Sequence, residues 1–251
     1  IIVDDTNDIL KRIMIITARE MKIKIEFLPH GLICEDEYIY AIKHLAPNIK
    51  VLAWNNDSSK YFENNNISSE CIHYPLHIKK KNLEAKKNIL ILISGNRQSL
   101  NNFERILSTL YKDLIFKNYT VDCKFHQISN KDEINVINRD IKNIESTYNF
   151  TVNIIDNDVE FTNIAKNYDK LIFTTWTTGI FEASYLKVPF IIYTDEAFSI
   201  HAFDSVNIPE ANSIDECVEF IENTDTEYLH SIKHSLYNNI DLNRYLSRRS
   251  I

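Results

Sequence analysis

The stretch Lys170–Thr194, K-L-I-F-T-T-W-T-T-G-I-F-E-A-S-Y-L-K-V-P-F-I-I-Y-T, decides the fold of this 251-residue chain. An apolar run from Leu171 to Phe173 ends in hydroxyl residues, a glycine opens a segment of helical period from Gly179 to Leu186, and a second apolar run follows from Phe190 to Tyr193. Short apolar runs bounded by turn residues read as strands buried on both faces, and a helix between two of them makes a βαβ unit of a parallel sheet. Gly179 is one of only three glycines, where average usage of about 7 % predicts roughly seventeen. The other two, Gly31 in F-L-P-H-G-L and Gly95 in I-L-I-S-G-N, also follow apolar runs. At such a junction glycine supplies positive φ or lets another group approach closely. In open α/β sheets the carboxyl ends of the strands are where ligands bind.

The same alternation runs outward in both directions. Towards the N-terminus it predicts a strand at Ile1–Val3, a helix at Ile9–Met21 with Ile9, Ile13 and Ile16 on one face, and a strand at Ile23–Leu28. A helix at Glu35–His44, a strand at Ile49–Ala53 and a helix at Ser58–Asn64 follow. A lysine-rich segment holding Lys79, Lys80, Lys81, Lys86 and Lys87 then separates two halves, expected as domains over 1–78 and 79–251. The second half restarts with a strand at Asn88–Ile93 and a helix near 100–117 striped by Phe103, Ile106, Leu107, Leu110 and Leu114. Next come a strand at Val121–Phe125, a helix at 131–147 striped by Ile134, Ile137, Ile141 and Ile144, a strand at Thr151–Ile155 and a helix at 158–167. After the opening stretch, Ser213 and Glu216 form a capping box for a helix to Ile221, and a last helix spans Glu227–Ile240. The expected fold class is α/β, two Rossmann-like doubly wound parallel-sheet domains with the N-terminal one incomplete.

Bulk properties narrow the function classes. A net charge of −7 and a pI near 5.6 lack the basic footprint of a nucleic-acid binder. No run of about 18 apolar residues is present to span a bilayer, and Ile1 opens without a charged leader or signal-type apolar segment, so a cytoplasmic protein is expected. The missing initiator Met suggests processing or a fragment. Cys34, Cys71, Cys123 and Cys217 lie far apart, as packing thiols rather than a zinc site. Arg244, Arg248 and Arg249 form a basic tail suited to weak contact with anionic headgroups at the membrane face. No P-loop, G-x-S-x-G or G-x-G-x-x-G motif occurs, so no cofactor is expected. Of the remaining histidines only His230 and His234 share a helix face, and they lack an acidic third ligand, so no metal is expected.

The candidate chemistry gathers at strand ends. The turn at Thr177, Thr178 and Gly179 brings backbone N–H groups to a helix N-terminus, a ready anion site. Glu182, in the first turn of that helix, is close enough to accept from the hydroxyls of a sugar or ribose on the bound phosphate, or is simply favoured there by the helix dipole. Asp4 and Asp5, in I-I-V-D-D-T-N-D, are either a carboxylate base at a strand end or part of a turn capping the helix from Ile9. His201 could line the same cleft.

The segment T-T-W-T-T-G-I-F-E-A-S-Y-L-K-V-P-F-I-I-Y resembles the C-terminal nucleotide-binding signature of GT-B glycosyltransferases, and more narrowly that of bacterial capsule Kdo transferases and CDP-glycerol glycerophosphotransferases. L-P-H-G-L, from Leu28 to Leu32, is similar to the H-G turn of their N-domain, and C-K-F-H-Q, from Cys123 to Gln127, to their strand ending in His-Pro, with Gln127 in the proline's place. The resemblance implies that His126, Thr177 and Thr178 hold the donor phosphates, Glu182 the ribose or sugar hydroxyls, and that His30, from the other domain, serves as acceptor-side base or phosphate ligand. It further implies transfer of a sugar or polyol phosphate from a CMP-, CDP- or UDP-activated donor to a polysaccharide or glycolipid acceptor at the bacterial surface. A complete GT-B N-domain needs more βα units than 1–78 can hold. Two rivals stay open: a nucleotide-sugar epimerase or hydrolase of the same fold, and a non-catalytic glycan- or protein-binding domain.

Overall fold

The computed structural model describes residues 1–4, 8–29, 35–46, 48–72, 88–93, 97–110, 119–125, 131–149, 151–156, 158–194 and 208–222. These fall in two compact units, one within Ile1–Leu76 and one within His77–Ala197 and Ile208–Leu229.

The first unit is a four-stranded sheet, β1 (Ile2–Val3), β2 (Glu26–Phe27), β3 (Lys50–Ala53) and β4 (Ser69–Cys71), in sequential order with every pairing parallel. Helices α1 (Ile9–Glu20), α2 (Glu35–Leu45) and α3 (Asn56–Asn64) make the crossovers. Phe27, Val51, Ile42, Ile15 and Phe62 fill its core. Asp8 starts α1: its Oδ1 accepts from the N–H groups of Leu10 and Lys11 at 2.7 and 3.2 Å. Asn55 does the same for α3, accepting from Ser58 N–H at 2.8 Å. Asp4 pairs with Lys11 at 2.7 Å, which fits the helix-start reading of the aspartate-rich turn, while Asp5 lies outside the described residues.

The first unit departs from the sequence reading in three places. The strand expected at Ile23–Leu28 pairs only at Glu26–Phe27, and β4 has no apolar run to announce it. In α1, the face holding Ile9 and Ile13 points to solvent, and the helix rests on its core through Ile15 and Ala18. Periodicity locates an apolar stripe, but with Ile at 9, 13, 15 and 16 it does not choose which side the sheet takes.

The second unit is a six-stranded parallel sheet in the order β10-β9-β8-β5-β6-β7. Its strands are β5 (Asn88–Ile93), β6 (Thr120–Phe125), β7 (Asn153–Ile155), β8 (Lys170–Phe173), β9 (Phe190–Tyr193) and β10 (Glu210–Ala211). The helices are α4 (Arg97–Arg105), α5 (Lys131–Tyr148), α6 (Phe161–Ala165), α7 (Gly179–Leu186) and α8 (Ile214–Glu222). The chain enters at β5, builds outward through β6 and β7, then returns to the other side of β5 for β8, β9 and β10. That reversal between β5 and β8 is a topological switch point, where the loops at the carboxyl ends diverge and leave a crevice. The central strands are apolar on both faces because helices cover both. The helix expected near 100–117 changes to a π-helical turn at Ile106–Leu110, with Phe103, Ile106 and Leu107 buried as its stripe requires. The helix expected at 158–167 shortens to Phe161–Ala165, and the strand β10 was not anticipated. The Ser213 capping box forms, with Ser213 Oγ accepting from Glu216 N–H at 3.3 Å, but the Glu216 carboxylate reaches back one residue further, to Asn212 N–H at 2.6 Å. The last expected helix, Glu227–Ile240, and the basic tail lie outside the described residues, as do Cys34 and the lysine-rich segment. Cys123 and Cys217 are buried in the core of this unit, and burial pushes both thiols up, that of Cys217 to about 12, as inert packing groups.

If Asp8 is the cap of α1, Asp8→Ala lowers stability by about 0.5–2 kcal/mol, read as a shift in urea midpoint, whereas Asp4→Ala, which removes an exposed ion pair, changes it by less than about 1 kcal/mol.

Candidate functional site

A cavity of about 440 Å³ opens at the switch point of the second unit, at the carboxyl ends of β5, β6 and β8. This volume falls within the range of small-molecule sites. Leu92, Ile93, Phe125, Val159, Phe161 and Phe173 form its apolar walls, and Lys124, Glu160, Thr175, Thr177, Thr178 and Glu182 supply most of its polar groups. Four of the seven residues singled out from sequence, Thr177, Thr178, Gly179 and Glu182, therefore lie together on one cavity. Asp5, His30 and His126 fall outside the described residues, as do Gly31, Gly95 and His201.

The turn that carries the site is held from below. Thr174 Oγ1 donates to Leu92 O at 2.9 Å, tying the end of β8 to β5. Asn102, fully buried on α4, donates from Nδ2 to the carbonyls of Thr174 at 3.2 Å and Tyr193 at 3.4 Å, fastening the ends of β8 and β9 together. With its start fixed, the chain turns through Thr177 and Thr178 into α7. Gly179 has no positive φ. What requires glycine is close approach: a Cβ there would stand 3.2 Å from Phe173 Cε1 and 3.5 Å from Phe161 Cε1.

The helix start differs from the expectation of wholly free N–H groups. Thr178 is the N-cap, with no side-chain cap, and the turn is tight enough that Ile180 N–H donates to Thr177 O at 3.2 Å and Phe181 N–H to Thr178 O at 3.0 Å. The Gly179 N–H has only a 3.4 Å contact to Thr177 Oγ1, too long to satisfy it well. The anion-binding capacity of α7 therefore rests on the Gly179 N–H, the two threonine hydroxyls and the helix dipole, rather than on a full nest of amides.

Three carboxylates and one ammonium line the cavity: Asp158, Glu160, Glu182 and Lys124. Burial, with the charge of Glu160 as the smaller cause, pushes the carboxyl of Glu182 up to about 7, so that near neutrality it is shared between acid and carboxylate. Sequence reasoning missed Lys124 and Glu160. Lys124 is 5 % exposed, Nζ donates to Asp156 O at 3.1 Å, and burial lowers its pKa against the opposing pull of Asp156 and Asp158. A signal existed: in V-D-C-K-F strand alternation puts Asp122 and Lys124 on the face opposite Val121, Cys123 and Phe125. Asp122 on that face accepts from the Tyr168 hydroxyl and from Asn153 Nδ2, each at 2.6 Å. Among the described residues no cluster of three or more His, Cys, Asp or Glu is arranged to hold a metal ion, and no helix is long and apolar enough to cross a membrane.

No protein-family model matches the sequence, and no curated protein matches it. Solved structures do match. The crystal structure of TarM aligns at TM-score 0.62 with 14% identity, over 98% of this chain and 53% of that chain. A Methanocaldococcus jannaschii UDP-GlcNAc 2-epimerase in complex with UDP-GlcNAc and UDP aligns at 0.63 with 14% identity, over 98% of this chain and 74% of that chain. A glycosyltransferase from Rickettsia africae ESF-5 aligns at 0.57 with 15% identity, over 98% and 74%. The chain thus spans about half the length of TarM. Its fold is α/β with two Rossmann-like parallel-sheet units, matching these GT-B neighbours.

Two outcomes test the geometry. Gly179→Ala forces the Phe173 ring to yield and costs about 1–3 kcal/mol of stability, measured by denaturant unfolding; a neutral substitution would mean the rings leave more room than the contact distances allow. The raised pKa of Glu182 favours folding while the group is protonated, below its ordinary value near 4.5, and that contribution is lost as pH rises through about 7. Glu182→Gln therefore raises Tm by about 2–4 °C at pH 8 and leaves it unchanged at pH 4, where both side chains are neutral.

Proposed function

We propose that the chain transfers a sugar or polyol phosphate from a CMP-, CDP- or UDP-activated donor to a polysaccharide or glycolipid acceptor, with the donor nucleotide in the cavity of the second unit. The observation that carries this reading is the grouping of Thr177, Thr178, Gly179 and Glu182 on one cavity at the switch point of a parallel sheet. The apolar wall suits a base and the faces of a sugar, while the helix start suits the phosphates. The Thr177 and Thr178 hydroxyls and the Gly179 N–H donate to phosphate oxygens, and Lys124 offsets their charge. Glu182 accepts from ribose or sugar hydroxyls. His126 is proposed as a further phosphate donor, and His30 or Asp5 as the base on the acceptor side.

In sugar transfer an acceptor oxygen forms a bond to the anomeric carbon, the bond from that carbon to the phosphate oxygen breaks, and the acceptor proton passes to the base. Negative charge grows on the departing phosphate, and donors fixed where it grows lower the barrier without reorganising. Epimerisation of a nucleotide sugar is a second reading, favoured by the alignment with UDP-GlcNAc 2-epimerases. Product analysis separates the two: incubation of a nucleotide sugar without acceptor yields an altered sugar only for the epimerase.

Replacing both Thr177 and Thr178 by valine is expected to weaken nucleotide binding at least tenfold in calorimetry, because each hydrogen bond to a charged group contributes about 1.5–3 kcal/mol. Unchanged affinity in the folded double variant sinks the assignment. Glu182→Gln weakens the whole nucleotide while sparing inorganic phosphate, whereas Lys124→Met weakens nucleoside diphosphate more than nucleoside. Equal loss of nucleotide and inorganic phosphate in the Glu182 variant would reassign Glu182 to general electrostatics, and equal loss of nucleoside diphosphate and nucleoside in the Lys124 variant would reassign Lys124 to packing of the cavity wall.

A further inference from the structure

We propose that Asn102 is a positioning residue for the cavity of the second unit, setting through its amide where the turn at residues 175–178 leaves the sheet. α4 follows β5, yet its Asn102 reaches across to the two strands on the far side of the switch point. The ladder between β8 and β9 runs in register from Leu171↔Phe190 to Phe173↔Ile192. Thr174 and Tyr193 stand at the next position, where that pairing ends, and theirs are the carbonyls that accept from Asn102 Nδ2, at 3.2 and 3.4 Å. Thr174 is also tied to β5, since Leu92 O accepts from its N–H at 3.0 Å and from its hydroxyl at 2.9 Å. The amide of one side chain therefore closes the fork where two strands part, and the turn of the cavity starts one residue beyond it.

The chemistry of the side chain fits placement better than stability. Asn102 is fully buried, and its Oδ1 finds no partner among the described residues. A buried amide bonded only through its nitrogen stabilises less than a fully bonded one, because the oxygen has lost water and gained no donor. What the amide supplies is direction: two N–H groups fixed in one plane hold two carbonyls at a set separation, which a hydrocarbon of similar size cannot do. From Thr174 the effect passes through buried residues. Thr175 and Trp176 are 8% and 7% exposed, and α7 then begins against the ring of Phe173. A change in the fork therefore moves Thr177, Thr178 and Glu182 together. Asn102 is not among the described residues that line the cavity, so it acts on a ligand only through that turn. That the ligand is a nucleotide rests on the function proposed above; the placement itself does not.

The test compares the whole chain with Asn102→Val, which is close in size and has no donor, and with Asn102→Ala, which has no donor and cannot overpack the site. Each variant is expected to bind CDP or UDP about 10–100-fold more weakly in calorimetry, the loss seen when an outer support of a metal site is removed. In the ligand-free protein, NMR of the Glu182 carboxyl should show its titration falling from about 7 towards the ordinary value near 4.5, because a displaced α7 lets water reach it. Ile141→Ala, which removes core volume on α5 away from the fork, lowers the urea midpoint and leaves both readouts unchanged. The proposal is overturned if a folded Asn102 variant titrates Glu182 or binds nucleotide as the parent does, or if Ile141→Ala shifts the titration as far, which would make the effect one of general stability. If the parent chain binds neither CDP nor UDP, the function proposed above fails, and the Glu182 titration still decides the placement.

Discussion

The ring of Phe173 is the contact on which the second unit and its cavity depend. It stands at the carboxyl end of β8, 1% exposed, edge-on to Phe190 of β9 with centroids 5.6 Å apart and to Phe161 of α6 at 6.1 Å. The same ring meets the backbone of Gly179 where α7 begins. One side chain therefore joins two adjacent strands, the short helix that walls the cavity and the helix start that faces the proposed phosphates. A Cβ at this position would press on that ring at 3.2 Å, so α7 begins this close to the sheet without displacing the ring because residue 179 is glycine. The scarcity of glycine elsewhere in the chain makes this placement informative, because here the requirement is steric rather than a matter of backbone freedom.

Around that contact the electrostatics run in two directions. The start of α7 and Lys124 favour negative charge, while Asp158, Glu160 and Glu182 oppose it. The opposition is reduced by the partial neutrality of Glu182, whose carboxyl is withdrawn from water beside Glu160. A ligand with phosphate at one end and hydroxyls at the other would meet both halves with matching groups. Inorganic phosphate alone would meet only one. One cavity thus presents both hydrogen-bond donors and carboxylates along its wall.

The two units also differ in how completely they satisfy their own apolar surface. The second buries both faces of its central strands, whereas α1 in the first leaves an apolar stripe in solvent on the side away from its core. Helix periodicity reports that a stripe exists and is silent on which of two stripes the sheet covers. In α1, isoleucines at 9, 13, 15 and 16 serve either orientation, and contact of Ile15 and Ala18 with the sheet decides it.

By itself the sequence determined the fold class and the apolar strands, because strands buried on both faces must be apolar throughout and their connecting helices must repeat at 3.6 residues, whereas β4 and β10, which lack such runs, emerged only in the folded chain. It also determined the hydroxyl-glycine-glutamate turn, since a strand end followed at once by a helix leaves few residue types that fit. Tertiary structure alone decided which residues from distant segments share a cavity. Lys124 and Glu160 are separated from Glu182 by tens of residues and share its cavity only because the sheet order places β6 and β8 on either side of β5. It also decided that Gly179 serves close packing rather than positive φ, and that Glu182 titrates near 7. Steric approach and desolvation are properties of what surrounds a residue, and those surroundings exist only once the chain has folded.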